Sequence, residues 1–212
     1  MKSELLYFTG PSEIEIRDEP VGLPGTGQVR VQAISSAISA GTERLLYKGL
    51  LEPGTRLDSR IAGLRSGFRY PFRYGYSLLG TVTDTGEGVP RDRVGSKVFC
   101  FAPHGRDAVV GIEDTVAVPE GCAEDRAVMF SLCETALSLV MDGRPVAGED
   151  IFVFGQGAVG LAVTALLSEF PLGALVTVDP LPHRRTRSIE LGASKSVDPD
   201  DLGIAIRDGA EL

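Results

Sequence analysis

Ile151-Phe152-Val153-Phe154-Gly155-Gln156-Gly157-Ala158-Val159-Gly160 is the stretch whose reading decides the fold. Four consecutive apolar residues predict a parallel strand covered on both faces. Gly-x-Gly-x-x-Gly follows at once and opens an apolar helix predicted over Val159 to Phe170, ended by Pro171. Without a β-carbon, Gly155 can make the tight turn, Gly157 lets a pyrophosphate approach the backbone, and Gly160 lets the helix pack on the strand. The loop from Gly155 through Gln156, Gly157, Ala158 and Val159 to Gly160 then presents free amides and a positive helix end to a dinucleotide. A second buried strand is predicted at Leu175 to Val178 and a second helix from about Arg184 to Leu191, closed by Gly192. A short third strand at Ser196-Val197 and a helix from Pro199 to about Asp208, capped by Asp198, complete an α/β layer.

Asp179 stands at the end of the second strand, where an acid can accept hydrogen bonds from both adenosine ribose hydroxyls and repel a 2′-phosphate. NAD is therefore expected in preference to NADP. Arg184 and Arg185 follow closely and can screen that preference, reach a phosphate, or form an ordinary solvated helix face. The competing reading of Asp179 is a turn or capping residue before Pro180.

Upstream, to about residue 120, the apolar pattern has period two and is broken often by Gly and Pro. Strands are predicted at Glu13 to Arg17, Gln28 to Ile34, Leu78 to Thr83, Lys97 to Phe101 and Thr115 to Val118, and many short strands suggest a barrel. The pattern changes at Glu124 to Met141, where Ala127, Phe130, Leu132, Cys133, Leu137 and Val140 predict one helix, with Gly143 as its stop. The expected organisation is a β domain over residues 1–121, a connecting helix and link over 122–150, and a nucleotide-binding layer over 151–212.

Composition removes whole classes of function. With 43% apolar residues the chain can bury a core, and its net charge of −8 would repel a phosphate backbone, which excludes a general nucleic-acid binder. Met1-Lys2-Ser3-Glu4 opens no apolar leader and no stretch approaches the roughly 20 apolar residues of a membrane span, so a cytoplasmic location is expected. Cys100, Cys122 and Cys133 are too few for a disulfide framework and read as small buried apolar residues.

A barrel followed by this βαβ unit resembles the medium-chain dehydrogenase/reductase superfamily, which joins a GroES-like catalytic domain to a Rossmann domain. Ile38-Ser39-Ala40-Gly41-Thr42-Glu43, Tyr74-Gly75-Tyr76-Ser77, Phe101-Ala102-Pro103-His104, Glu134-Thr135-Ala136 and Asp179-Pro180 look most like the branch containing bacteriochlorophyllide a dehydrogenase and related zinc-type alcohol dehydrogenase-like proteins. The resemblance implies an oxidoreductase that moves hydride between NAD(H) and a small-molecule alcohol or carbonyl, and a homodimer in the longer form. It also implies a zinc test, because zinc catalysis needs three protein ligands and an open position. Ala40 replaces a cysteine ligand, and Gly75-Tyr76-Ser77 replaces the Gly-His-Glu of zinc members. Cys133 or Glu134 would stand without partners, and the four-Cys lobe is absent. No zinc is expected.

Without a metal, hydrogen-bond donors must polarise the reacting oxygen. By resemblance Thr42 sits where the family keeps the hydroxyl that begins a proton relay; alternatively it caps the helix through Leu45 and Leu46. Tyr76 replaces the metal's His and can act as a general acid, or simply fill the vacated volume. By resemblance Thr135 matches the hydroxyl residue that approaches the nicotinamide, with Glu134 beside it; either can instead be an ordinary helical residue, and Glu134 is read as solvated. His104 is read either as a proton shuttle or as a loop histidine, and His183 as a surface residue.

Two other functions remain open at this level: NAD(P)H-dependent reduction of a quinone or enone double bond, and a non-catalytic nucleotide-binding module. Only 57 residues follow Gly155, fewer than a doubly wound domain needs, so a truncated form of a longer protein is expected.

Overall fold

The computed structural model describes residues 2–57 and 67–203. It divides into two compact units, Met1–Ser131 and Leu132–Leu212.

The first unit is antiparallel β. Strands β1 (Lys2–Gly10) and β2 (Glu13–Pro20) form a hairpin. Strands β3 (Gln28–Ser36), β4 (Leu78–Thr85), β5 (Lys97–Cys100), β6 (Asp107–Gly111) and β7 (Thr115–Ala117) form one sheet in the order β6-β3-β4-β5-β7. Alternation works as expected on β3 and β4. Val29, Val31, Leu78 and Val82 face one core with Val98, Cys100 and Ala108. A barrel was expected; compatibly with it, the described strands make a curled half-barrel sheet, and the hairpin is tied to the rest of the unit by isolated bridges, Leu5 to Gly105 and Phe8 to Phe72, and by the Ser3 hydroxyl, which donates to Asp107 of β6.

Strands β1 and β6 were not foreseen. In β1 the apolar residues Leu5, Leu6, Tyr7 and Phe8 run together and hide the alternation. In β6 Ala108 and Val110 face the core, and Asp107, on the opposite face, is buried where it ion-pairs with Arg30 of β3 at 3.0 Å and accepts the Ser3 hydroxyl at 2.8 Å.

A short helix α1 (Thr42–Tyr47) places Leu46 in a second, aromatic core with Phe8, Phe68, Phe72 and Tyr74. The single helix expected from Glu124 is two: α2 (Glu124–Ala127) and α3 (Phe130–Gly143). At the break, Met129 N–H bonds back to Arg126 in a tightened turn, and the Val128 carbonyl accepts the Ser77 hydroxyl at 3.0 Å. Helix α3 ends at Gly143, the expected stop, and the left-handed residue that follows it is Arg144 (φ 49°).

The second unit carries β8 (Asp150–Phe154), α4 (Ala158–Leu167), β9 (Ala174–Val178), α5 (Pro182–Glu190) and β10 (Lys195–Val197). The three strands are parallel in the order β10-β9-β8, which is the order of the first half of a doubly wound sheet. Strand β9 is buried throughout. Strand β8 is the edge of the described sheet and only half-buried, with Phe154 65% exposed, contrary to the expectation of cover on both faces. Val140, Leu167 and Leu175 form the core here, with Ile151 and Val153 against it.

Helix α4 stops at Leu167, before the expected Phe170. Helix α5 starts at Pro182, two residues earlier than expected, since a first-turn proline needs no N–H partner. Asp198 caps a single turn at Pro199–Asp201 by accepting the Asp200 amide at 3.2 Å; the rest of the helix expected there, 204–208, lies outside the described residues.

Cys100 is buried as expected, but Cys122 is half-buried and Cys133 is exposed on α3.

Candidate functional site

In the second unit, Gly155 (φ +84°) turns the chain out of β8 into a conformation that strains any side chain. Gly160 is required by contact: a β-carbon there would lie 1.8 Å from the Gly155 carbonyl oxygen. Gly157 is different, because a β-carbon would meet nothing closer than an Arg184 guanidinium nitrogen at 4.0 Å. It is the N-cap of α4 and makes no side-chain cap, so the amides of Ala158, Val159 and Gly160 open the helix without one.

Gln156 behaves otherwise than a ligand contact. Its side chain is fully buried, donates to the Val153 carbonyl at 3.2 Å and accepts the Thr164 hydroxyl at 3.0 Å. Its backbone N–H donates to Asp179 Oδ2 at 2.7 Å. The other oxygen of Asp179 accepts the Leu181 amide at 2.8 Å, and the carboxylate is 2% exposed. Burial pushes this carboxyl up, but the amides of Leu181 and Gln156 and the Arg184 guanidinium, 3.6 Å away, outweigh it and hold the group below the usual aspartate value. Asp179 is thus a turn residue and the fastener of the glycine loop at once. Arg184 is half-buried beside it, while Arg185 pairs with Asp198 at 2.8 Å.

In the first unit, Thr42 is the first residue of α1, half-buried; the N-cap is Gly41, with no side-chain cap bond, so the capping reading of Thr42 is corrected. Tyr76 is half-buried at the border of the aromatic core, edge-on to Tyr74 with ring centroids 5.9 Å apart. Thr135 and Glu134 are exposed on the part of α3 that belongs to the second unit.

The residues at the positions named for a zinc site can be compared with what the metal needs. Ala40 offers no ligating atom, Tyr76 packs among rings, and among the described residues no three His, Cys, Asp or Glu side chains gather into a metal-holding group.

The polar cluster that sequence reasoning did not assemble lies nearby in the fold. His104 is 5% exposed; its Nδ1 is 2.8 Å from Ser36 Oγ and its Nε2 is 2.9 Å from Glu43 Oε2. Gly75 (φ +138°) makes room for it, since a β-carbon there would lie 2.8 Å from the His104 backbone nitrogen and 2.9 Å from its ring. His183, by contrast, is exposed as expected. No periodicity links positions 36, 43 and 104, and the only sequence signal was a histidine at a strand's end.

No family model matches the chain. Among curated proteins it is similar to the starvation-sensing protein RspB of Escherichia coli, with 23% identity over 93% of this chain and 62% of that protein. It is also similar to 2-desacetyl-2-hydroxyethyl bacteriochlorophyllide A dehydrogenase of Cereibacter sphaeroides, with 29% identity over 53% of this chain and 33% of that protein. A solved structure of RspB from E. coli CFT073, described as a short chain alcohol dehydrogenase complexed with NADH, shares the fold. Its TM-score is 0.83 at 20% identity, over 99% of this chain and 66% of that one. These homologues and structural neighbours are medium-chain, zinc-type alcohol dehydrogenase-like oxidoreductases, and the chain spans less than two thirds of their length. No described helix is long and apolar enough to cross a membrane.

Proposed function

We propose that this chain carries the catalytic β unit and the adenosine-binding half of a zinc-independent, NAD-dependent oxidoreductase that acts on an alcohol or carbonyl. The observation that carries the reading is the glycine loop fastened to Asp179: a turn built for close approach, an uncapped helix start and an ionised acid meet at the ends of β8 and β9.

The proposed roles follow from those atoms. The amides of Ala158, Val159 and Gly160 hold a pyrophosphate above Gly157, whose hydrogen-only surface faces open space apart from Arg184. Each Asp179 oxygen accepts one backbone N–H and keeps a lone pair for a ribose hydroxyl. An acid held ionised there repels a 2′-phosphate, which favours NAD over NADP. When bound, the dinucleotide supplies the hydride acceptor or donor. Thr42 and Tyr76 are proposed to hydrogen-bond the substrate oxygen and Thr135 to approach the nicotinamide ring, so that orientation and proton handling fall to the chain's own hydroxyls. The partners proposed are a small-molecule substrate and a second copy of the longer protein in the cytoplasm, with no nucleic acid or membrane.

Calorimetric titration of the 212-residue chain with NADH, NADPH and ADP-ribose tests this. Binding of NADH and ADP-ribose with weaker binding of NADPH is expected, and a folded chain that binds none of them overturns the cofactor reading. Alcohol oxidation against enone reduction then separates the two reaction types.

A further inference from the structure

Ser36, His104 and Glu43 come from three different elements, the end of β3, the loop before β6 and the first turn of α1. They form an unbroken hydrogen-bonded line: Ser36 Oγ to His104 Nδ1 at 2.8 Å, and His104 Nε2 to Glu43 Oε2 at 2.9 Å. The line grades from half-buried at Ser36 to 5% exposed at His104 and 2% at Glu43. Glu43 Oε1 is buried and has no hydrogen-bond partner among the described residues. Leaving a carboxylate oxygen unpaired in the interior is costly, so its retention calls for a reason. An acid, an imidazole and a hydroxyl in series are the parts of an activated hydroxyl: the acid orients the base, and the base faces the hydroxyl.

We infer that Ser36–His104–Glu43 is the proton relay of this site, with Ser36 as its outer end and Glu43 as its buried end. The inference rests on the oxidoreductase reading and deepens it by assigning the acid–base device. In the oxidation direction the substrate C–H bond breaks and its electron pair leaves as hydride to the oxidised nicotinamide dinucleotide. The substrate O–H bond also breaks; that proton passes to Ser36 Oγ as the Ser36 proton passes to His104 Nδ1, giving an imidazolium opposite the Glu43 carboxylate. The C=O bond forms from the oxygen's electron pair, and reduction runs the same transfers backwards. Ser36 is the catalytic residue of the three; His104 and Glu43 act through it.

Two features make the device specific to this arrangement. The ring can lie where it does only because residue 75 is glycine, and that glycine directly precedes Tyr76. Glu43 directly follows Thr42 on α1. The relay therefore sits between the backbone segments that carry the two proposed substrate-facing hydroxyls.

The test starts from the imidazole, independently of any substrate. The chain has two histidines, so ¹⁵N-histidine labelling with His183→Gln leaves His104 as the only signal in long-range ¹H–¹⁵N spectra. The relay requires a neutral ring at pH 8 protonated at Nε2, toward Glu43, and bare at Nδ1, toward Ser36. Ser36→Ala should then shift the Nδ1 resonance toward that of an imine without a donor while leaving Nε2 and the far-ultraviolet circular dichroism unchanged. A ring protonated at Nδ1, or a persistent imidazolium at that pH, cannot accept from Ser36 and overturns the relay.

The second arm uses turnover in the full-length form. Ser36→Ala should lower kcat by about 10²- to 10⁴-fold with KM little changed, and Ser36→Thr should restore part of it. An unchanged kcat overturns the assignment. Absence of turnover in the unsubstituted full-length enzyme with nicotinamide cofactors overturns the oxidoreductase reading instead, and the spectra still decide whether the hydroxyl faces a base.

Discussion

The Asp179 carboxylate accepts the Gln156 backbone amide at 2.7 Å, so the acid at the end of β9 and the glycine loop after β8 are one hydrogen-bonded unit. The acid thereby shapes the loop directly, and any ribose contact it makes comes from an atom that is already held.

Asp179→Ala should cost about 2–3 kcal/mol in chemical denaturation, because the buried Gln156 amide and the part-buried Leu181 amide lose a charged acceptor. It should also weaken NADH more than NADPH in the same calorimeter. The folded-state pKa lies below the unfolded one, so this contribution is fully present above about pH 4 and is lost as pH falls through the folded value. Denaturation between pH 6 and pH 3 should therefore show a shallower acid loss in Asp179→Asn than in the unsubstituted chain. An identical acid limb in both would sink the argument.

Two alanine substitutions in the same loop should part company. Gly160→Ala places a methyl 1.8 Å from the Gly155 oxygen and should cost about 1–3 kcal/mol by pushing α4 off the loop. Gly157→Ala meets no atom closer than 4.0 Å and has φ −74°, so the melting temperature should hold. Dinucleotide affinity should fall in both, since the Gly157 surface is where a pyrophosphate would rest. Retained affinity in Gly157→Ala would remove the pyrophosphate from that place.

Arg30 and Asp107 test how the curled sheet tolerates charge. Both are buried and joined at 3.0 Å, so Asp107→Ala, which strands the guanidinium, should cost about 3–5 kcal/mol. The double change Arg30→Met with Asp107→Leu should recover most of that loss. Additive costs in the urea midpoints would contradict the coupling.

Thiol chemistry should separate the three cysteines. Burial, and secondarily the nearby Asp114 charge, pushes the Cys100 thiol up to about 12, so at pH 8 about one molecule in 10⁴ carries its thiolate. Ellman's reagent should modify exposed Cys133 first and half-buried Cys122 more slowly. Cys100 should react only after denaturant is added. Three equally fast thiols in the native chain would refute this picture.

Much of the second unit was legible in the chain because its signals are local. A glycine loop between an apolar strand and an apolar helix constrains backbone over about ten residues, and Asp198 marks its helix start by chemistry confined to one turn, whereas the equally local start at Pro182 was read two residues late. Where sequence reading missed, the deciding contact was distant. Ser77 of one segment bonds Val128 of another at the break in one expected helix, and Arg30 of β3 buries the Asp107 carboxylate of β6 by pairing with it across the sheet.

Composition, period and the glycine spacing determined an antiparallel unit followed by a parallel βαβ layer, because backbone preference and amphipathic period act between near neighbours. Tertiary structure alone decided that Asp179 fastens the glycine loop and that Ser36, His104 and Glu43 meet in one line. A buried acid or imidazole is tolerated only when a partner waits for it, and that partner's place in the sequence, 61 residues away for Glu43 and His104, is set by how the chain packs.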